Sequence, residues 1–235
     1  MPPSARGNHY QNRILAALPP PEMQRLASHL THRVLKLREI LADGHNASGY
    51  FMEEGLASVV ITQSTGDTTE VGVIGIDGLV GLPLLLGVDG APGRTFMQVA
   101  GSGYSIPAEH LKESFEKPSA LRTHLQKYIQ GFMVQSAQNS ACNRHHEIAQ
   151  RLARWILTCH DRIQSDRMPL THEFLSQMLG APRATVTIAA GQLQKAGFIE
   201  YTRGHVTITN RTELEYAACE CYRVVRDEFR RLSLL

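Results

Sequence analysis

LTHEFLSQMLGAPRATVTIAAGQLQKAGFIEYTRGHVTIT, residues 170–209, sets two helix signals, a glycine break and two short β-rich runs in close succession. Thr171 is placed to cap a first helix whose buried face is Phe174, Leu175 and Met178. Gly180 ends it, because glycine takes positive φ without steric cost. Pro182 opens a second helix with Val186, Ala190 and Leu193 turned inward. Lys195-Ala196-Gly197 stops that helix, and FIEY and VTIT come next as strands joined at Arg203-Gly204. Helix, tight turn, helix and hairpin make a winged helix-turn-helix.

The bland reading of the same order is a two-helix packing unit that touches no nucleic acid. Against it, Gly180, Ala181, Ala189 and Ala190 allow the close helix approach the motif needs. Arg183, Thr185 and Thr187 fall on the outer face of the second helix, at the end that enters a major groove. Arginine grips a guanine edge or a phosphate, and threonine bonds phosphate or meets a thymine methyl. Thr171, Thr185 and Arg203 are therefore candidate phosphate anchors and Arg183 the candidate base reader, with Thr187 beside it on the outer face. Ala184 and Ile188 offer only apolar contacts to the groove.

Upstream, residues 119–162 contain no proline and are rich in helix formers, with Ser119 as a capping residue. Leu121, Leu125, Tyr128 and Phe132 obey 4-3 spacing, and Gln135, Asn139, Cys142 and His146 continue it in polar form. Either the apolar four pack on their own domain or they pair with a second copy. The length of the helix tips the reading towards a homodimer. A second apolar stripe, Ile148, Leu152, Trp155, Ile156 and Cys159, anchors the C-terminal part of the chain, with a hinge expected at Asn143-Arg144-His145-His146.

Between Val34 and Ile106 the texture is different: VLKL, GYFM, ASVVITQ, TEVGVIG, FMQVA and GYSIP read as short strands. Asp43-Gly44, Thr65-Gly66-Asp67 and Gly101-Ser102-Gly103 read as the turns between them. Within this part, GLVGLPLLLGVDGAPGRT, residues 78–95, has the look of a loop-rich pocket wall closed by Arg94-Thr95. The fold class is α+β. An N-terminal β-roll of jelly-roll type (12–118) is followed by a long central dimerisation helix (119–145) and a C-terminal winged helix-turn-helix with a further amphipathic helix (146–235).

Composition adds exclusions. Residues 1–143 carry a net charge of −1 and residues 144–235 a net charge of +3, a weak tilt towards a polyanion-binding C-terminal part. No apolar run is long enough to span a membrane and the start lacks a secretory core, so a cytoplasmic chain is expected. Cys142, Cys159, Cys219 and Cys221 form no CxxC pair, and Cys219-x-Cys221 alone closes no zinc site. Adjacent His145 and His146 point apart on a helix. Reduced, partly buried thiols and no bound metal are expected. No nucleophile elbow, Walker loop, HExxH or spaced carboxylate pair is found, so the chain does not read as an enzyme.

A β-roll, a long helix and a winged helix-turn-helix in this order resemble the Crp/Fnr superfamily of bacterial transcription regulators. The resemblance spans about residues 12–210 and is strongest over 170–199 and at Gly75, Gly78, Gly81 and Arg94-Thr95. It implies a homodimer on a two-fold symmetric site in double-stranded DNA, with RNA polymerase as a candidate partner and a small effector, a cyclic nucleotide or another molecule, held in the roll. The resemblance assigns Gly81, Leu82, Arg94, Thr95, Phe132 and Met133 to the effector pocket. Arg94-Thr95 match the phosphate-binding pair, but Leu82 stands where a ribose-gripping glutamate belongs, and leucine cannot accept that bond. Phe132 and Met133 replace the small hydroxylated residues that meet a purine. Cyclic AMP is therefore not the expected effector. No cysteine precedes Cys142, which excludes the family's N-terminal iron–sulfur cluster. His9, His29, His32, His45 and His110 are the histidines at hand for a haem, none in a recognisable ligand context. The reading that competes with DNA binding is a ligand-binding module acting through protein partners.

Overall fold

The computed structural model describes residues 10–163 and 165–235. His9 lies outside them. Two short helices, α1 (Arg13–Ala16) and α2 (Pro20–Ala27), lead into strands β1 (Thr31–Leu35), β2 (Ile40–Asp43), β3 (Ser48–Thr62), β4 (Thr68–Ile74) and β5 (Leu79–Val80). A single turn, α3 (Leu82–Leu85), then precedes β6 (Arg94–Pro107) and α4 (Ala108–Glu116). The sheet is antiparallel, ordered β1-β6-β3-β4, with β2 added on β6 and β5 on β3. β3 and β6 each carry through what the sequence split in two, and bulges bend β3 at Met52–Ala57 where it crosses β6. Gly101-Ser102-Gly103, expected as a turn, lies inside β6. Its first glycine is needed for close approach, since a Cβ there would overlap the Glu54 carbonyl oxygen.

The central helix α5 (Ala120–His145) is capped by the Ser119 hydroxyl, which accepts from the Arg122 N–H at 3.0 Å. Glu22 of α2 accepts from the Ala120 and Leu121 N–H groups, tying the helix start to the roll. The 4-3 seam packs on its own chain: Leu121, Leu125 and Tyr128 are buried in the core of the roll and Phe132 packs against it. The polar half of the seam docks on edge strand β4, where Gln135 donates to the Val73 carbonyl and Asn139 to the Val71 carbonyl, each at 3.1 Å. Leu121, Leu125 and Tyr128 are therefore closed to the dimer contact expected of them, and half-buried Phe132 leaves only an edge free. An edge strand and an open core claim that face of the helix first.

Helix α6 (Ile148–Ile163) comes next, then β7 (Arg167–Pro169), α7 (His172–Leu179), α8 (Arg183–Lys195), β8 (Ile199–Thr202), β9 (His205–Ile208), α9 (Arg211–Ala217) and α10 (Cys221–Arg231). The wing is a three-stranded sheet, β7-β9-β8. α6 is buried almost all round, because Leu152, Trp155 and Ile156 share one core with Leu56, Val60, Val73 and Val99 of the roll and with Leu175, Val186 and Leu193 of the helix pair. The C-terminal tail, read as one helix of the last unit, divides at residues 218–220. α10 lies along α5, and Phe229, Leu232 and Leu234 enter the core of the roll with Ile14 and Leu15. Among the described residues no helix is long and apolar enough to cross a membrane.

Candidate nucleic-acid interface and effector cradle

Thr171 caps α7 as its sequence position predicts, accepting from the Phe174 N–H at 3.1 Å. Gly180 closes that helix at φ 57°, and Pro182 sets the start of α8. Val186, Ala189, Ala190 and Leu193 are buried, so the residues between them face out. Arg183, Ala184, Thr185, Thr187 and Ile188 are all exposed, with Ile188 64% accessible despite its size. Arg183 has Glu173 as a loose ionic neighbour at 3.8 Å, and both side chains stay in solvent. Arg203 is exposed at the wing tip in the left-handed region, φ 49°, followed by Gly204.

Two residues absent from the sequence reading brace this face. His172 stacks on Tyr201, with ring centroids 4.2 Å apart, and its Nδ1 meets the Thr187 hydroxyl at 3.1 Å. The Tyr201 hydroxyl donates to the Leu170 carbonyl at 2.7 Å. Together they lock α7, α8 and β8 into one block. Burial, and then the charge of Arg183, lowers the His172 pKa and keeps the ring a neutral spacer. Their only sequence signal was an aromatic in a strand and a histidine after the cap.

The roll behaves differently. A cavity of about 200 Å³ is lined by Gly81, Leu82, Thr95 and Phe132, with Val59, Ile74 and Leu86 adding apolar wall and Asn46 one polar group. Arg94 is not in it. Successive residues of a strand point to opposite faces, so buried Thr95 turns inwards and exposed Arg94 turns out over the Phe96 ring. Arg94 instead lines a cleft of about 450 Å³ between roll and α7, shared with Thr171, Glu173 and Gln177. Met133 also misses the cavity, 62% exposed and turned about 100° round α5 from its neighbour Phe132. Four of the six cradle residues thus come together, and the one formal charge among them leaves.

Buried polar groups join the two regions. Glu70 of β4 accepts from the Trp155 indole N–H at 2.6 Å and from the Ser58 hydroxyl at 2.7 Å. Burial raises its pKa to about 7 against the pull of those two bonds and of Arg154 and Arg162. Arg162 at the end of α6 pairs with Asp77 of the roll at 2.9 Å, both fully buried, and its guanidinium lies 5.0 Å from the Phe229 ring of α10.

Residues 150–217 match the profile of the Crp-like helix-turn-helix domain. About four-fifths of the chain is similar in fold to solved structures of transcription regulators. FixK2 from Bradyrhizobium japonicum superposes with a TM-score of 0.69 at 15% identity, covering 81% of this chain and 98% of that one. A CRP/FNR family transcriptional regulator from Thermus thermophilus gives 0.64 at 16% identity, over 80% and 98%. CLP from Xanthomonas campestris, a c-di-GMP responsive global regulator, gives 0.64 at 14% identity, over 80% and 98%. No curated protein matches the sequence significantly. The α+β fold of Crp/Fnr regulators, expected from the order of parts, is the fold observed, and the three proteins named above are regulators rather than enzymes.

The Crp-like domain is joined to α5 at a place the sequence misjudged. Cys142 and His146 at the end of α5 meet Cys219 and Cys221 from the turn between α9 and α10, and their ligand atoms all lie within 4.8 Å of one another. The expectation of no metal-ligand set considered Cys219-x-Cys221 and the two histidines separately. The fold supplies the missing partners, because Cys142 lies in the last turn of α5, His146 caps that turn with its N–H on the Cys142 carbonyl, and the tail returns to cover them. His29 and His110, two of the haem candidates, lie against each other with tilted rings, centroids 3.9 Å apart.

Proposed function

We propose that the chain is a sequence-specific, DNA-binding transcription regulator that works as a homodimer. The observation that carries the reading is the start of α8. Five residues with groove-compatible chemistry, Arg183, Ala184, Thr185, Thr187 and Ile188, stand exposed on a Crp-like helix-turn-helix braced by His172 and Tyr201. Arg183 reads a base edge, the Ala184 and Ile188 side chains meet thymine methyls, and Thr171, Thr185 and Arg203 hold phosphates. With one arginine and two apolar readers, the site depends on methyl contacts and DNA shape as much as on bidentate bonds.

A second copy is proposed to meet the stripe of α5 that its own chain leaves open, Gln126, Gln130, Met133 and Ala137, which again has 4-3 spacing. Two copies imply a two-fold symmetric target, with RNA polymerase as the partner to test. The cavity in the roll is proposed as the effector pocket. Its apolar lining and the outward turn of Arg94 support an effector other than cyclic AMP.

Selection on random double-stranded DNA, followed by salt-dependent binding to the winning sequence, tests the reading. The expected product is an inverted repeat, bound with a steep salt dependence. Absence of both specific and non-specific binding at low salt would show that the helix pair serves packing alone.

A further inference from the structure

The cysteine and histidine cluster stands apart from DNA reading and from the cavity of the roll, and it has the composition of a metal site. Cys142 Sγ lies 3.5 Å from Cys219 Sγ, and Cys221 Sγ lies 3.5 Å from His146 Nδ1. Around a tetrahedral zinc, sulfur–sulfur edges are about 3.8 Å and sulfur–nitrogen edges about 3.5 Å, given metal–ligand bonds of about 2.3 and 2.0 Å. A polynuclear iron–sulfur cage spreads its cysteine ligands more widely than four atoms within 4.8 Å of one another. A plain packing of reduced thiols would account for three buried cysteines. It does not account for what surrounds them.

The other ring nitrogen of His146, Nε2, is held by the Glu220 carboxylate at 3.1 Å, which fixes the tautomer that leaves Nδ1 free to ligate. Gln138 donates to Cys221 Sγ at 3.1 Å, the kind of bond a thiolate attracts. Buried Arg154 and Arg151 stand next to the cluster, Arg154 bonded to Asn139 and Arg151 to Asn143 on the same helix. A dication with three thiolates carries one net negative charge, which either guanidinium offsets.

We propose that Cys142, His146, Cys219 and Cys221 form a tetrahedral site for a zinc-class divalent cation. Each thiol gives up its proton to solvent as its sulfur binds, and no electron is transferred. All four protein ligands are present, so the site has no open position for a substrate and is a structural clamp. It fastens the α9–α10 turn to the last turn of α5, where the chain enters α6 and the Crp-like domain. The loop it closes spans residues 142 to 221, so the metal constrains most of that domain at once.

The test uses the full chain, purified under reducing conditions with a tag that contains no histidine. Elemental analysis is expected to find about one zinc per chain. After chelator removal, cobalt(II) is expected to restore one equivalent with the intense visible bands of a tetrahedral thiolate complex, and zinc to displace it. Cys142→Ser and Cys221→Ser lose the bands, and Cys159→Ser, outside the cluster, keeps them. Glu220→Ala leaves the ligand set whole and weakens binding by about 10- to 100-fold. Because a serine variant can fail to fold, the decisive arm is the unaltered chain. Substoichiometric metal with no cobalt bands overturns the proposal, as does a Cys142–Cys219 disulfide in the protein as purified. Neither result depends on whether the chain binds DNA.

Discussion

Arg94 and Arg183 are both exposed arginines in motif positions, yet one has left its site and the other occupies it. Arg94 begins a strand, where its neighbour Thr95 must face the opposite way, so a pair that reads as a unit in sequence is split between two faces. Arg183 begins a helix, where the first-turn side chains surround one end and need not choose. The roll therefore presents an apolar cavity with its charge turned towards α7, while the Crp-like domain presents a polar end to solvent. The consequence is that the two regions meet through Arg94's cleft and through the buried groups beside it.

The largest effect is expected where those regions are joined. Asp77→Ala leaves Arg162 as a buried charge without its partner, at a cost of about 3–5 kcal/mol. Because α6 shares its core with both regions, the loss is expected in a single urea transition. A roll that keeps its stability while only the Crp-like domain melts would separate what the packing unites.

Glu70 gives the next largest effect and one with a defined sign. Its folded pKa of about 7 lies above the ordinary value of 4.5, so between those values the folded chain holds a proton that the unfolded chain has lost. Its contribution to stability is then largest below pH 4.5, falls as pH rises to 7, and is flat above. Glu70→Gln keeps the acceptor for Trp155 and removes the slope, making the variant more stable by about 3 kcal/mol at pH 8 relative to the parent than at pH 4. Thermal melts across that range check it, and an unchanged slope would assign the pH dependence to other groups.

Arg183→Ala sharpens the contrast on the side of the reading face. It is expected to weaken specific binding by about 1–3 kcal/mol, with far less effect on non-specific DNA. Equal losses on both would make Arg183 a phosphate contact.

Much of this arrangement is legible in sequence because it is local. Thr171, Gly180 and Pro182 each dictate a cap or a turn by their own chemistry, and the 3.6-residue period separates buried Val186 from exposed Ala184 and Ile188. Less is legible where a side is chosen by something distant. The seam of α5 reads correctly as buried, but only the edge of β4 and the returning tail decide that its own chain covers it. The cysteines fail for the same reason, since residues 142 and 221 become neighbours only through that return.

Arg94→Ala gives the smallest expected effect and tests the contrast most directly. The side chain is exposed over Phe96, so its loss changes stability by less than about 0.5 kcal/mol. It also changes nothing in the cavity of the roll, whose polar groups are Thr95 and Asn46. Cyclic AMP should then give the same negligible thermal shift with parent and variant, while Thr95→Val alters the response to any ligand that does enter. If cyclic AMP stabilises the parent and not Arg94→Ala, the arginine swings inwards on binding. The strand would have to twist Arg94 past Phe96 to do so, and the cleft beside Thr171 and Glu173 would open as the roll takes up its ligand.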